Sequence, residues 1–251
     1  MMMNIWGMTD IGLVRKENQD AYAVRENEET GHTACVVCDG MGGPKGGRLA
    51  SKLAVETFLD SCLSNLRRGM TAEQVRQVAD FAVAQANAAV FKKSEEDAEL
   101  RGMGTTLVSV ITWDGQALLS NVGDSRAYLI PAEGEGIFRI TRDHSLVEKL
   151  LELGKITAEE ARSHPDRNLI TRALGPDPDA EGLSDCYQVK LSPGDCLLLC
   201  TDGLVETATD QEMEQAVRCT EDRNHCMERL LDIARSRGAA DNVTAVLLQQ
   251  Q

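Results

Sequence analysis

Four apolar runs in this chain abut an aspartate beside a glycine or an asparagine. They are Cys35-Val-Val-Cys-Asp39-Gly40, Leu118-Leu-Ser-Asn-Val-Gly123-Asp124, Leu197-Leu-Leu-Cys-Thr-Asp202-Gly203, and Asp241-Asn242 leading into Val243-Thr-Ala-Val-Leu. A fifth acid, Asp20, closes Arg15-x-x-Asn18-Gln19-Asp20 just before Ala21-Tyr-Ala-Val. One aspartate at a strand end is commonly a turn residue. Five pose another question, because converging carboxylates repel unless cations neutralise them. Ligands that are all oxygen suit hard ions, so Mg²⁺ or Mn²⁺ is favoured over zinc. Gly40 would let its backbone carbonyl approach such an ion closely. Two ions together can activate a water for attack on phosphorus. Arg15 could then hold phosphate oxygens with its planar fork; its plain alternative is a surface ion pair.

The other reactive side chains carry less. Cys35 and Cys38 have CxxC spacing but sit in an apolar run that reads as a strand. Residues three apart on a strand face opposite ways, so these two do not share a metal. Cys196 and Cys200 share a face but stand roughly 13 Å apart. All eight thiols read as buried and inert. No cysteine lies in a Cys-x₅-Arg loop, so a thiol nucleophile is unsupported. His144, before a helix, reads as a structural hydrogen-bonding residue with proton transfer as the alternative. His164 reads as a loop residue, and His32 and His225 as surface positions.

Positioning such acids requires strands that end together. Two amphipathic helices are expected, over about 47–66 and from Thr71, where Gln74 completes a capping box. Their inner faces read Val55, Leu59, Cys62, Leu63 and Leu66, then Val75, Val78, Ala79, Ala82, Ala86, Ala89 and Val90. Gly104–Trp113 and Gln116–Val122 form a hairpin about Asp114-Gly115, and Ser125–Ile130 a further strand. Ser145-x-x-Glu148 and Thr157-x-x-Glu160 read as capping boxes, with Gly154 stopping the helix between them. Residues 154–182 read as a flap-like segment. Strands at about 185–190, 195–201 and 242–248 and helices at about 210–219 and 225–237 complete the chain. Hairpins mixed with helix pairs suggest a sheet-rich core covered by helices, in one domain over 1–251.

Composition excludes several classes. Of the 251 residues, 42% are hydrophobic, enough for a sizeable core. The net charge of −14 argues against a nucleic-acid binder and against docking on an anionic membrane. No apolar run approaches a membrane span and no signal peptide is visible, so the cytoplasm is the default compartment.

The chain resembles the metal-dependent protein phosphatases of the protein phosphatase 2C type, especially their compact bacterial members. The likeness runs nearly end to end. It includes Gly12-Leu-Val-Arg15-Lys-Glu-Asn18-Gln-Asp20, Val37-Cys-Asp39-Gly-Met-Gly-Gly43, Gly102-Met-Gly-Thr-Thr106 and Asn121-Val-Gly-Asp124-Ser-Arg126. It continues through Asp143-His-Ser-Leu-Val147, His164-Pro-Asp-Arg-Asn168, Ile170-Thr-Arg-Ala-Leu-Gly175, Thr201-Asp202-Gly-Leu204 and Asp241-Asn-Val-Thr244.

The resemblance implies an α+β fold, an αββα sandwich of two stacked antiparallel β-sheets flanked by helix pairs. It implies that Asp39 bridges two central Mn²⁺ or Mg²⁺ ions, with the Gly40 carbonyl on the second. Asp202 and Asp241 complete the first ion's ligands, Asp20 stands near the second, and Asp124 with Asp202 holds a third ion seen in bacterial relatives. Arg15 matches the phosphate-binding arginine. The implied activity is hydrolysis of phosphoserine and phosphothreonine in proteins, without a phosphoenzyme intermediate. Phosphorylated proteins are then the partners, with a bacterial Ser/Thr kinase and its targets among them, and the monomer is the default state.

Three positions depart from the family pattern. Met41 stands where many members carry a histidine, and it cannot donate a proton. Gln19 stands where some have a glutamate ligand. Pro44-Lys45 and Arg48 replace a more usual histidine and acid, which puts that loop in question. Competing readings are a phosphatase dedicated to a small anti-sigma antagonist, a pseudophosphatase lacking its metal acids, and a two-metal phosphodiesterase. The missing sensor domain, the presence of all five acids and the acidic charge weigh against them in turn.

Overall fold

A computed structural model describes residues 3–179, 181–220 and 222–251; Met1, Met2, Ala180 in the flap-like segment and Glu221 lie outside it. Among the described residues, eleven strands form two antiparallel sheets. The first sheet contains β1 (Met3–Asp10), β7 (Arg126–Ile130), β8 (Phe138–Arg139), β10 (Cys196–Cys200) and β11 (Val243–Gln250), in the order β1-β11-β10-β7-β8. The second has the order β2-β3-β5-β6-β9: β2 (Asp20–Asn27), β3 (His32–Met41), β5 (Leu107–Trp113), β6 (Gln116–Val122) and β9 (Asp185–Lys190). A short strand, β4 (Gly104–Thr105), pairs with the end of β3.

Alternation along the central strands builds three apolar layers. Cys35 and Val37 of β3 face Leu197, Leu199, Val246 and Leu248 between the sheets. Val36 and Cys38 face outward, onto helices α1 (Gly43–Asn65) and α2 (Ala72–Glu96). The two cysteines therefore lie in different layers, as strand periodicity requires. Cys196, Leu198 and Cys200 pack on the opposite side, against α6 (Asp210–Arg218) and α7 (Arg223–Ser236). The αββα sandwich is thus two stacked antiparallel sheets, each covered by a helix pair.

Several local expectations need correction. The first helix starts at Gly43 rather than about 47. Gly42 caps it in a left-handed conformation (φ 115°) and Pro44 falls in its first turn, where a missing N–H costs nothing. No side-chain cap marks that start. In α2, Val83 and Asn87 join the buried face, which Ala89 only borders. Thr71 and Gln74 form the expected reciprocal capping box. Ser145 caps α3 (Leu146–Glu152) only one way, because the Glu148 carboxylate pairs with Arg139 instead. The flap-like segment contains a short helix, α4 (Ala158–Ser163), with a complete Thr157/Glu160 box. His32 is buried rather than exposed, stacked on Trp113 with ring centroids 6.3 Å apart. All eight cysteines are free, but Cys186 is half-buried and Cys219 exposed, so only six are core residues.

Candidate active site

One pocket of about 470 Å³ lies where the strands of both sheets run out. Arg15, Asp39, Gly40, Asp124, Asp202 and Asp241 all line it. Sequence positions 226 apart thus meet at Arg15 and Asp241, whose Nη2 and Oδ2 are 2.5 Å apart. Asp39 comes from β3, Asp124 from the turn after β6, and Asp241 from the turn before β11. Asp202 opens a four-residue helix, α5 (Asp202–Val205), directly after β10.

Asp20 is not on the pocket wall. It stands directly opposite Asp39 across the β2–β3 pair, on the same face of the sheet, and is buried beside the pocket. Like charges facing one another across strands are destabilising. Two hydroxyls answer one Asp20 oxygen: Thr244 Oγ1 donates to Oδ2 at 2.6 Å and Thr201 Oγ1 at 3.0 Å. Its other oxygen, Oδ1, is buried without a partner.

The backbone around Asp39 is held equally closely. Its N–H donates to Thr106 Oγ1 at 2.9 Å, and its carbonyl accepts from Thr105 Oγ1 and Thr106 N–H. Asn242 accepts from the Gln19 N–H and donates to the Ile11 and Glu17 carbonyls, so it moulds the loop that carries Arg15. The sequence alone assigns no role to Thr105, Thr106, Thr201, Thr244 or Asn242. The available signal was polarity at positions that the apolar pattern buries.

Electrostatics mark the cluster as unbalanced. Burial first, then repulsion from Asp202, Asp20, Asp124 and Asp241, holds the Asp39 carboxyl well above the usual carboxylate range. Burial, then Asp124, Asp241 and Glu206, does the same to Asp202. Burial and then Asp143 push Asp124 up to about 7. Burial carries Asp20 to about 6 against the opposing hydroxyls of Thr244 and Thr201. Arg15 and Lys16 are the cations of the wall, and the bond of Arg15 to Asp241 raises the pKa of Arg15.

The residues fit hard divalent cations. The donors are all oxygen, and the Oδ1 atoms of Asp20 and Asp202 are buried with no partner. A Cβ at Gly40 would meet the Gly47 carbonyl oxygen at 2.0 Å, so only glycine allows this backbone to run there. Among the described residues no three His, Cys, Asp or Glu side chains close into a finished cage. The acids instead border an open pocket, which suits ions that keep waters in their coordination sphere, as Mg²⁺ does.

A family model described as Protein phosphatase 2C matches residues 14–247. The chain belongs to the protein phosphatase 2C family. It is 35% identical over 242 residues to the serine/threonine phosphatase stp of Listeria monocytogenes serotype 4b, covering 96% of this chain and 94% of that one. It superimposes on the Mycobacterium tuberculosis serine/threonine phosphatase PstP/Ppp with a TM-score of 0.86, at 31% identity, covering all of both chains. A structure of the PstP catalytic domain in complex with two manganese ions matches at TM-score 0.82 and 30% identity, covering 98% and 97%.

Within this protein phosphatase 2C pocket, Met41 lines the wall where many members place histidine. Gln19 donates from Nε2 to the Gly43 carbonyl, so it clips the start of α1 as well as facing the pocket. Asn168 and Ile170 of the flap-like segment also reach the wall. His164 is a loop residue whose Nδ1 accepts from the Asp166 N–H, and His225 is exposed.

Proposed function

We propose that this chain is a protein serine/threonine phosphatase, hydrolysing phosphoserine and phosphothreonine in proteins and reversing Ser/Thr kinase signalling. One observation carries the reading: Arg15 and the carboxylates of Asp39, Asp124, Asp202 and Asp241 share one pocket in a protein phosphatase 2C fold. Asp39, Asp202 and Asp241 with the Gly40 carbonyl would hold two Mn²⁺ or Mg²⁺ ions, Asp20 supports the second from beside the pocket, and Asp124 with Asp202 would hold a third. When bound, such ions supply the Lewis acidity that activates a water near neutral pH. The chain works as one catalytic domain and a monomer in the cytoplasm; among the described residues no helix is long and apolar enough to cross a membrane.

The chain's own groups divide the remaining work. The Arg15 guanidinium is half-exposed at the rim, so a phosphoryl oxygen can reach its fork directly from solvent. The Thr105 and Thr106 bonds fix Asp39 before substrate arrives, which removes a reorganisation cost from the reaction. Met41 carries no transferable proton, so this turn does not protonate the leaving alkoxide. No cysteine lines the pocket among the described residues, so no thiol nucleophile is at hand there, and the reading takes water as the nucleophile without a phosphoenzyme.

Hydrolysis of a phosphothreonine peptide tests the reading. Phosphate release is expected with Mn²⁺, and is expected to collapse with EDTA and in Asp202→Ala with Mn²⁺. A well-folded wild-type protein that releases nothing at any Mn²⁺ or Mg²⁺ concentration overturns it.

A further inference from the structure

Asp124 sits in the turn that leaves β6, and its position depends on Gly123 (φ 100°). Two hydrogen bonds close that turn onto a single residue. The Gly123 N–H donates to His144 Nδ1 at 3.2 Å, and the His144 N–H donates to the Gly123 carbonyl at 2.8 Å. A backbone N–H can only donate, so Nδ1 must be the unprotonated nitrogen. The ring proton then sits on Nε2, 3.1 Å from Asp185 Oδ2 at the start of β9, and Arg172 Nη1, 3.2 Å from the same nitrogen, gives its own hydrogen to Asp185 Oδ1 instead. Burial holds His144 below its ordinary pKa and so favours this neutral form.

The same residue reaches the flap-like segment. The Thr171 N–H donates to the His144 carbonyl at 2.7 Å, and Arg172 Nη1 donates to Asp185 Oδ1 at 3.0 Å. Thr171 directly follows Ile170, a pocket-wall residue. Asp143, one residue before, is locked between Arg126 and Arg139. His144 is therefore anchored on its backbone and on both ring nitrogens.

We propose that His144 is a positioning residue, acting through the Gly123 N–H to hold Asp124 where it can take a divalent cation and tying that turn to the chain segment carrying Ile170. The proposal rests on reading Asp124 as a cation ligand. Histidine is needed because it offers an acceptor at the δ position and a donor at the ε position at once. Asparagine can reproduce only the first and glutamine only the second. Hydrogen-bond partners of a ligand's own segment tune metal affinity by about 10–100-fold.

Equilibrium Mn²⁺ binding, followed by the electron paramagnetic resonance of free Mn²⁺, separates the outcomes in the full chain. Asp124→Ala is expected to weaken or remove the weakest binding event and leave the tighter ones. His144→Gln is expected to do the same, by about tenfold or more, with faster hydrogen exchange at the Gly123 amide. His144→Asn keeps the acceptor and is expected to stay within a few-fold of wild type. If Asp124→Ala loses the weak ion and His144→Gln does not, the positioning role is overturned while the ligand reading stands. If Asp124→Ala changes nothing, the ligand reading fails and the proposal with it. A test on wild type needs no variant: the ¹⁵N shifts of His144 should report an Nε2–H tautomer, and a protonated Nδ1 overturns the proposal.

Discussion

Asp39 is the most crowded acid of the pocket. It faces Asp20 across a strand pair and is repelled by Asp202, Asp124 and Asp241 as well. Asparagine has nearly the same shape and no charge. Asp39→Asn is therefore expected to stabilise the metal-stripped protein at pH 8, by about 0.5–2 kcal/mol, while abolishing Mn²⁺-dependent hydrolysis. Thermal unfolding in EDTA checks this, and a variant less stable than wild type there would contradict the account of the cluster. Arg15 makes the complementary case. Its fork reaches Asp241 across 226 positions at a half-exposed site, so the pair adds little to folding, and under the proposed function its work is phosphate capture. Arg15→Lys keeps the charge and loses the planar fork. It should lower kcat/KM on a phosphopeptide by about 10–100-fold with little change in Tm, since hydrogen bonds to charged groups contribute roughly 1.5–3 kcal/mol.

At the scale of elements, the pocket depends on how closely α1 approaches the end of β3. Gly40 and Gly47 touch backbone to backbone: a Cβ at Gly47 would meet the Gly40 carbonyl oxygen at 2.6 Å. Gly47→Ala is expected to cost about 1–3 kcal/mol and to shift the Gly40 carbonyl, weakening Mn²⁺ binding. Gly43→Ala meets nothing within 4 Å but must hold φ +76°, so it should cost about 1 kcal/mol and spare the ions. Chemical denaturation with parallel Mn²⁺ titration distinguishes the two, and equal effects on metal affinity would refute the close-approach argument. The same junction shows what sequence can and cannot reveal. Thr71 and Gln74 announce the start of α2, because a capping box is written within four residues. The start of α1 rests on glycine conformations with no capping side chain, so periodicity alone placed it late. The acids at strand ends are legible because each abuts an apolar run, Asp39, Asp124 and Asp202 after it and Asp20 and Asp241 before it. The supporting Thr106, Thr201, Thr244 and Asn242 were not, because their partners lie 43 to 231 positions away in the chain. His32 looked like a surface residue beside the turn of a hairpin, and its stacking on Trp113 exists only once β3 and β5 pair.

Across the whole molecule, two sheets converge their acids at one end, and the cost of that convergence sets how stability depends on pH and metal. In the metal-stripped protein Asp20 and Asp124 are held at about 6 and about 7, above the ordinary 3.8. Between those values the folded chain binds more protons than the unfolded one, so the slope of stability against pH is negative. The contribution of these groups is fully present below about pH 4 and is lost as pH rises through about 7. Carboxylates paired with arginine, such as Asp10 with Arg235, have lowered pKa values and act in the opposite sense, losing their contribution only in acid. Under the proposed function divalent cations would bind the folded deprotonated cluster and so restore what the rise in pH removes. At one hundred times its Kd a single ion adds about 2.7 kcal/mol, or roughly 5–10 °C in Tm for a chain of this length. The Mn²⁺-minus-EDTA difference in Tm is therefore expected to be larger at pH 8 than at pH 5. A difference that is equal at the two pH values, or larger in acid, would mean that the acids at the strand ends do not share their charge with a bound cation.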